Sequence, residues 1–346
     1  VGRLWINQIF QNAALLTMLG GIHDIQMILT FLLRRRSAIK VLGSVIDAAQ
    51  RRGHTCFLCT EYEEAKEPFV PGDFARWPKL AASRTHGQMY GTVIGLATDP
   101  LAAVGVSSWT DNTLRPYHSG SIVQCYLSEW HRALHQFTQP ADAKIIAQQP
   151  IVGWTLADHR ALLPPALTVA SVLSNGYEER ARHYRAGYDL LFTMKRQVPE
   201  PWRRSLRGRL WYAKKIMSAQ RVAKEIGLPL VIKTRRKHGD PWWLACVGRV
   251  IGEGSMYPST SLQLLAGAHA AHHFMSGAHA EARMMNVPVT NYPVPQPHLD
   301  RLPGGQRVYQ EMILQDTPNH ANYMAKFFTY DDCQAGERVM DVAERL

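Results

Sequence analysis

The sequence predicts an α/β protein built from two Rossmann-like, doubly wound domains. Its 346 residues are enough for two domains that each bury a core of their own. A composition of 46% hydrophobic and 19% charged residues excludes a disordered or collagen-like chain. Strand–helix–strand patterns occur in both halves, and parallel strands joined in this way are typical of doubly wound sheets.

The first half begins with such a pattern. Residues 27–33 form a short apolar run that suits a buried parallel strand. Residues 41–52 carry apolar side chains at helical spacing, Gly53 ends that helix, and residues 54–60 form a second strand. Further along, the pattern predicts a strand at 102–108, a helix at 122–137 and a strand at 143–147.

The second half repeats the α/β pattern. Breaks in the pattern at residues 176–187 divide the chain into an N-terminal domain, 1–180, and a C-terminal domain, 181–346. The predicted strands of the second domain are 188–193, 228–233, 271–275 and 287–292. The predicted helices are 210–226, 259–268 and one that follows Ser276.

The charge of the chain indicates an anionic partner. The formal net charge of +11 fits a phosphate-bearing substrate, a nucleic acid or an acidic membrane surface. Five cysteines are too few for a disulfide framework. The apolar stretch 13–33 contains His23, Asp24 and Gln26, which argues against a transmembrane span. We expect a cytoplasmic protein, and attachment to a membrane surface stays open.

Three loops of the second half carry groups that bind anions. They follow three strands of one predicted sheet, so they lie at the same edge if that sheet is parallel. The groups are, strand by strand, Lys195 and Arg196, then Lys233 and Arg235, then Ser276 and Gly277 at the start of a helix. Glu281, one turn into that helix, is placed to accept hydrogen bonds from ribose hydroxyls. Taken singly, each loop is better explained by strand-end charges and a helix cap, whereas three loops that converge on one edge favour an anion site.

One stretch carries a family resemblance. Ser-Gly-Ala-His-Ala-Glu-Ala stands between a strand and a helix, and Met-Asn-Val-Pro-Val precedes the next strand. This order resembles the C-terminal domain of nucleotide-sugar glycosyltransferases of the GT-B fold. Those enzymes typically have Gly where this chain has Asn286, a residue that tolerates a left-handed helix end. Residues 255–260 resemble a loop that contacts the base or phosphates there. The resemblance covers residues 188–292 well and 27–60 loosely.

The resemblance implies a GT-B-like pair of domains that face each other across a cleft. The second domain would bind a nucleotide-diphosphate sugar as co-substrate, without a metal. Its glycosyl group, or a related polyol-phosphate group, would pass to a hydroxyl of a glycan, a lipid-linked acceptor or a nucleic acid. The candidate donor-binding residues are Lys195, Arg196, Lys233, Arg235, His238, Ser255, Tyr257, Ser276, Gly277, His279 and Glu281.

The base that deprotonates the acceptor should come from the N-terminal domain. Asp111 is the first candidate, followed by His86, Glu61 and His118. Each of these residues is also explained as a polar surface or turn residue, because Asp and Asn are common in turns.

Two other functions stay open. Non-hydrolysing nucleotide-sugar epimerases share the fold but usually carry a second acidic residue where this chain has Ala282. A nucleic-acid-binding protein, or a transferase that acts on nucleic acid, would also use the positive charge. Cations gathered in the cleft favour a nucleotide donor, and a stripe of cations on an outer face favours a polymer.

Overall fold

The computed structural model describes residues 26–60, 68–85, 88–97, 99, 101–107, 122–138, 148–163, 187–193, 202, 204–234, 241–293 and 319–346. Two parallel β-sheets, each flanked by helices, form the α/β architecture that the sequence predicts.

The first sheet has six described strands. They are β1 (Ile28–Leu32), β2 (Thr55–Cys59), β3 (Arg84–Thr85), β4 (Thr92–Leu96), β5 (Val104–Val106) and β6 (Val123–Cys125). Its helices are α1 (Ile39–Arg51), α2 (Pro78–Ala82) and α3 (Glu129–Thr138). The strand order is β3-β2-β1-β4-β5-β6, and every pair is parallel. The chain order reverses between β1 and β4, which is the topological switch point where ligands of such sheets bind.

The first strand–helix–strand unit follows directly from its sequence. In β1, the residues from Leu29 onward are buried, as expected for a strand covered on both faces. Helix α1 buries Leu42, Val45 and Ile46, which share one stripe of the helix. Gly53 has φ +77°, a left-handed conformation that glycine adopts without steric cost, and it ends the helix as predicted.

One predicted element of the first half is wrong. Residues 122–137 do not form one helix, because Val123–Cys125 is strand β6 and pairs with β5. Pairing buries Val123 and Cys125 completely, which a surface helix would not do. Helix α3 begins only after Ser128, whose Oγ accepts a hydrogen bond from the His131 N–H at 3.1 Å. Strands β3 and β4 were not predicted, and the strand predicted at 143–147 lies outside the described residues.

The second sheet has five described strands. They are β7 (Tyr188–Phe192), β8 (Leu230–Lys233), β9 (Arg249–Ile251), β10 (Ala268–His273) and β11 (Val289–Asn291). Its helices are α4 (Leu206–Glu225), α5 (Leu244–Val247), α6 (Thr260–Ala266), α7 (Ala278–Met284) and α8 (His320–Phe328). The order is β11-β10-β7-β8-β9, all parallel. Strand β10 begins three residues before the predicted 271–275, and β9 was not predicted.

Both faces of the second sheet are covered. Adjacent residues of a strand point to opposite faces, so Leu190 and Leu191 of β7 belong to different cores. Leu190 packs with residues of α6, α7 and α8, and Leu191 packs with Tyr212 and Ile216 of α4.

The last helix returns to the first sheet. Helix α9 (Ala335–Ala343) packs against α1 and contributes to the first core. Asp158 accepts hydrogen bonds from the backbone N–H groups of Ala335 and Gly336, at 3.0 and 2.7 Å, and so caps this helix. A Cβ at Gly336 would lie 2.6 Å from the Ser44 backbone, so only glycine permits this close approach.

The predicted domain boundary near 176–187 lies outside the described residues except for Gly187, so it stays a prediction. Within the described ranges, no helix combines the length and apolar character that crossing a bilayer requires.

Candidate functional site

The turn after β10 is built on buried histidines. Ser276 is 2% exposed, and its backbone N–H donates to Nδ1 of His273 at 3.1 Å. Nε2 of His273 lies 3.0 Å from Nδ1 of His279 on α7. Burial, together with the charge of Arg283, lowers the pKa of His279 to about 4. His279 is therefore neutral at pH 7, and its contact with His273 connects the turn to α7.

Glu281 on α7 has unused capacity to accept hydrogen bonds. Its side chain is half-buried, and its Oε2 atom is buried without a hydrogen bond from any described residue. A carboxylate has about four acceptor positions, and leaving them unfilled in a buried place is unfavourable. A ligand hydroxyl close to this carboxylate could supply the missing donor.

Lys233, at the end of β8, belongs to a network that links the two domains. Its side chain is 3% exposed, and its ammonium donates to Glu253 Oε2 at 3.1 Å and to the Thr234 carbonyl at 2.8 Å. The other oxygen of Glu253 accepts from Lys40 of α1 at 2.9 Å. Burial by itself would raise the pKa of Glu253, but the two lysines outweigh it and lower the pKa to about 2. Glu253 is therefore charged throughout the neutral range.

The loop between β9 and α6 is fastened to the first domain. The Tyr257 hydroxyl donates to Oδ2 of Asp47 on α1 at 3.0 Å. The Tyr257 ring stacks on Trp77, with centroids 5.4 Å apart, and meets the edge of the His159 ring at 4.6 Å. Tyr257 therefore lies in the contact between the domains, whereas the sequence predicts a donor-binding role for it. Ser255, in the same loop, is exposed, and its Oγ accepts from the Tyr257 N–H at 3.2 Å.

The carboxyl edge of the first sheet holds an acidic residue that sequence reasoning missed. Arg34 follows β1 and Asp99 follows β4, so both lie at the switch point of the sheet. Asp99 is 4% exposed, and its Oδ1 lies 3.9 Å from Nη1 of Arg34. Recognising 92–96 as a strand would have revealed Asp99, because a carboxylate just after a parallel strand lies at the ligand-binding edge.

The structure brings together only part of the predicted site. Ser276, Gly277, His279 and Glu281 lie together after β10. Lys233 ends β8, two strands away, which corresponds to about 10 Å. The remaining predicted residues lie outside the described part and stay predictions: Lys195, Arg196, Arg235, His238, Glu61, His86, Asp111 and His118.

No protein-family model matches this sequence, and no curated protein matches it. Several solved structures are similar. The UDP-GlcNAc 2-epimerase of Methanocaldococcus jannaschii shares 12% identity, with 92% of this chain and 100% of that chain covered and a TM-score of 0.53. A Listeria monocytogenes protein named as a UDP-N-acetylglucosamine 2-epimerase gives 12% identity, coverages of 92% and 96%, and a TM-score of 0.51. The wall teichoic acid polymerase TagF gives 10% identity, coverages of 98% and 96%, and a TM-score of 0.47.

Identities this low are informative about the fold alone. The likenesses to the Methanocaldococcus jannaschii and Listeria monocytogenes structures, with TM-scores above 0.5, extend over 92% of this chain. The chain therefore has the GT-B fold, with two doubly wound α/β domains, as the sequence resemblance implied.

Proposed function

We propose that this chain binds a nucleotide-diphosphate sugar beyond the carboxyl edge of its second sheet and transfers the glycosyl group to a hydroxyl acceptor. The observation that carries the proposal is the Glu281 carboxylate, which has unused acceptor capacity next to the buried turn at Ser276. The fold supports it, since ligands of doubly wound sheets bind at the carboxyl ends of the strands.

The chain's own residues divide the work of transfer. Glu281 accepts hydrogen bonds from the ribose hydroxyls, and Ser276 and Gly277 line the approach of the diphosphate. Lys195, Arg196, Lys233 and Arg235 supply positive charge that stabilises the departing diphosphate. Because the Lys233 ammonium is bound to Glu253, Lys233 acts on the diphosphate through its electrostatic potential and not by direct contact.

Deprotonating the acceptor requires a base on the first domain. Asp99 joins Asp111, His86, Glu61 and His118 as a candidate, because it lies at the switch point of that sheet. Transfer is expected to need no metal, so activity should survive EDTA. Loss of activity with EDTA and its return with Mg²⁺ would contradict this part of the proposal.

Epimerisation of the same substrates is the second candidate. The solved structures of Methanocaldococcus jannaschii and Listeria monocytogenes, with TM-scores of 0.53 and 0.51, are named as 2-epimerases. The reactions differ in their products, because transfer releases a nucleoside diphosphate and epimerisation returns an intact nucleotide sugar of changed configuration. Incubation with UDP-GlcNAc and other nucleotide sugars, followed by NMR analysis of the products, separates the two.

Binding is tested first by thermal stability. A nucleoside diphosphate at a hundredfold excess over its dissociation constant should stabilise the chain by about 2.7 kcal/mol. A screen of the common nucleoside diphosphates at millimolar concentration measures this effect. If none of them shifts the melting temperature, the proposed donor site is wrong.

Glu281→Ala then tests the site itself. Losing a hydrogen bond to a charged acceptor costs about 1.5–3 kcal/mol, so the dissociation constant should rise roughly ten- to hundredfold. Calorimetric titration measures the affinity, and a denaturant melt of the same variant measures its stability. Glu225→Ala, at the exposed end of α4, is the matched control. Unchanged affinity with a lowered melt would mean that Glu281 only stabilises its helix.

A further inference from the structure

Helix α4 carries an exposed apolar stripe. Leu206, Leu210 and Met217 are 73%, 61% and 59% exposed. At 100° per residue, these three positions fall within about 40° of each other around the helix axis. The opposite side of α4 is already used, since Tyr212, Ile216, Ala219 and Ala223 pack against the second sheet. The stripe is therefore not needed to hold the helix in the fold.

Cations surround this stripe. Helix α4 contains six Lys or Arg residues and one Glu, a net charge of +5 out of +11 for the whole chain. Its cations are Arg207, Arg209, Lys214, Lys215, Arg221 and Lys224. All of them except Lys215 are exposed, and Lys214 and Arg221 lie within about 80° of Leu206 around the axis. We call the stripe and its exposed cations the α4 outer face.

A tryptophan lies beside the same helix. Trp242 is 83% exposed and stands two residues before α5. Helix α5 packs next to α4, since the Gln220 side-chain amide donates to the Val247 carbonyl at 2.6 Å. Exposed tryptophans are enriched where proteins meet the polar–apolar boundary of a bilayer.

From these features we infer that the α4 outer face binds the surface of an anionic membrane, with α4 lying in the plane of the interface. The cations pair with lipid headgroups, and Leu206, Leu210 and Met217 enter the boundary between headgroups and acyl chains. The contact from Leu206 to Arg221 would be about 22 Å long. This inference does not depend on which reaction the chain performs.

Other partners fit the outer face less well. A nucleic acid would use the cations but leave the three apolar side chains in water. A second copy of this chain would bring two faces of charge +5 together, which is unfavourable. An anionic bilayer satisfies the charge and the apolar stripe together.

Co-sedimentation with vesicles tests the inference. The full chain should bind vesicles of phosphatidylcholine with about one-third phosphatidylserine, but not pure phosphatidylcholine, and high salt should weaken binding. The triple variant Leu206→Gln, Leu210→Gln and Met217→Gln should bind at least about tenfold more weakly. The double variant Lys214→Gln and Arg221→Gln should lose about fivefold for each cation removed.

The matched control is Leu101→Gln with Lys79→Gln, which changes an exposed leucine and an exposed lysine of the first domain. It should bind like the wild type. All substituted positions are exposed, and equal circular dichroism melts confirm that each variant is folded.

Four results would overturn the inference. The first is no binding to phosphatidylserine vesicles at low salt, and the second is unchanged binding in both α4 variants. The third is binding to duplex RNA or DNA that needs the cations but not the apolar stripe, which would identify a polymer surface. The fourth is a wild-type dimer that the triple variant converts to a monomer in sedimentation velocity, which would identify a self-contact.

Discussion

Tyr257 allows a sharp test of whether its loop fastens the domains or binds the donor. Tyr257→Phe removes only the hydroxyl that donates to Asp47. Losing a hydrogen bond to a charged acceptor costs about 1.5–3 kcal/mol. We expect the lower end, because Asp47 keeps its bonds from Arg76 and Trp77. Tyr257→Ala also removes the ring between Trp77 and His159, and truncating a packed aromatic costs about 3–5 kcal/mol.

Thermal melts and nucleotide titrations of the same variants give the answer. For a domain of this size, each kcal/mol shifts the melting temperature by about 2–4 °C, so Tyr257→Phe should lower it by about 3–6 °C. The affinity of this variant for the stabilising nucleotide should stay within about twofold of the wild type, because Tyr257 contacts Asp47 of α1 and Trp77 of the first domain. Tyr330→Phe, on an exposed ring, is the control.

The reverse result would refute this reasoning. Suppose that Tyr257→Phe keeps the melting temperature of the wild type but binds the nucleotide about tenfold more weakly. The Tyr257 hydroxyl would then contact the ligand and would not stabilise the contact between the domains. The sequence-based prediction for Tyr257 would then hold.

Two further predictions concern the contact between the two domains. Gly43→Ala should destabilise the chain by about 1–3 kcal/mol, because the new Cβ would lie 2.6 Å from the Tyr257 ring. The control in denaturant melts is Gly72→Ala, whose new Cβ would have no heavy atom within 4 Å apart from those of its chain neighbours. Glu253→Gln should destabilise the chain at pH 7, and the difference from the wild type should shrink as the pH falls from 4.5 towards about 2. A carboxyl whose pKa is lowered in the folded state stabilises above its unfolded pKa and loses this effect on protonation. Urea melts across that range measure the difference, and a difference independent of pH would contradict the charged network.

Strong local patterns predicted much of the fold. The buried run of β1 and the single stripe of α1 leave little choice of structure. Strand β4 was missed because it contains Gly95, whose place between Ala102 and Leu32 becomes evident only in the packed sheet. Strand β6 was assigned to a helix because its apolar residues fit both the helical period of 3.6 residues and the strand period of two. Its pairing with β5 decides in favour of the strand.

The candidate site was predictable where it is local in sequence. Ser276, His279 and Glu281 lie within one turn and helix, so a short motif was enough to find them. The partners of Tyr257 and Lys233 could not be found in this way. Tyr257 meets Asp47 across 210 positions of the chain, and the pairing depends on how the two domains dock. No local pattern encodes such a contact.

The return of α9 to the first domain governs how the two domains can move. Helix α8 belongs to the second core and α9 to the first, so the chain passes from one core to the other between these helices. This crossing is only six residues long and holds Thr329 and Cys333 at positive φ. Any change in the angle between the domains must therefore bend residues 329–334 or move α9 away from α1.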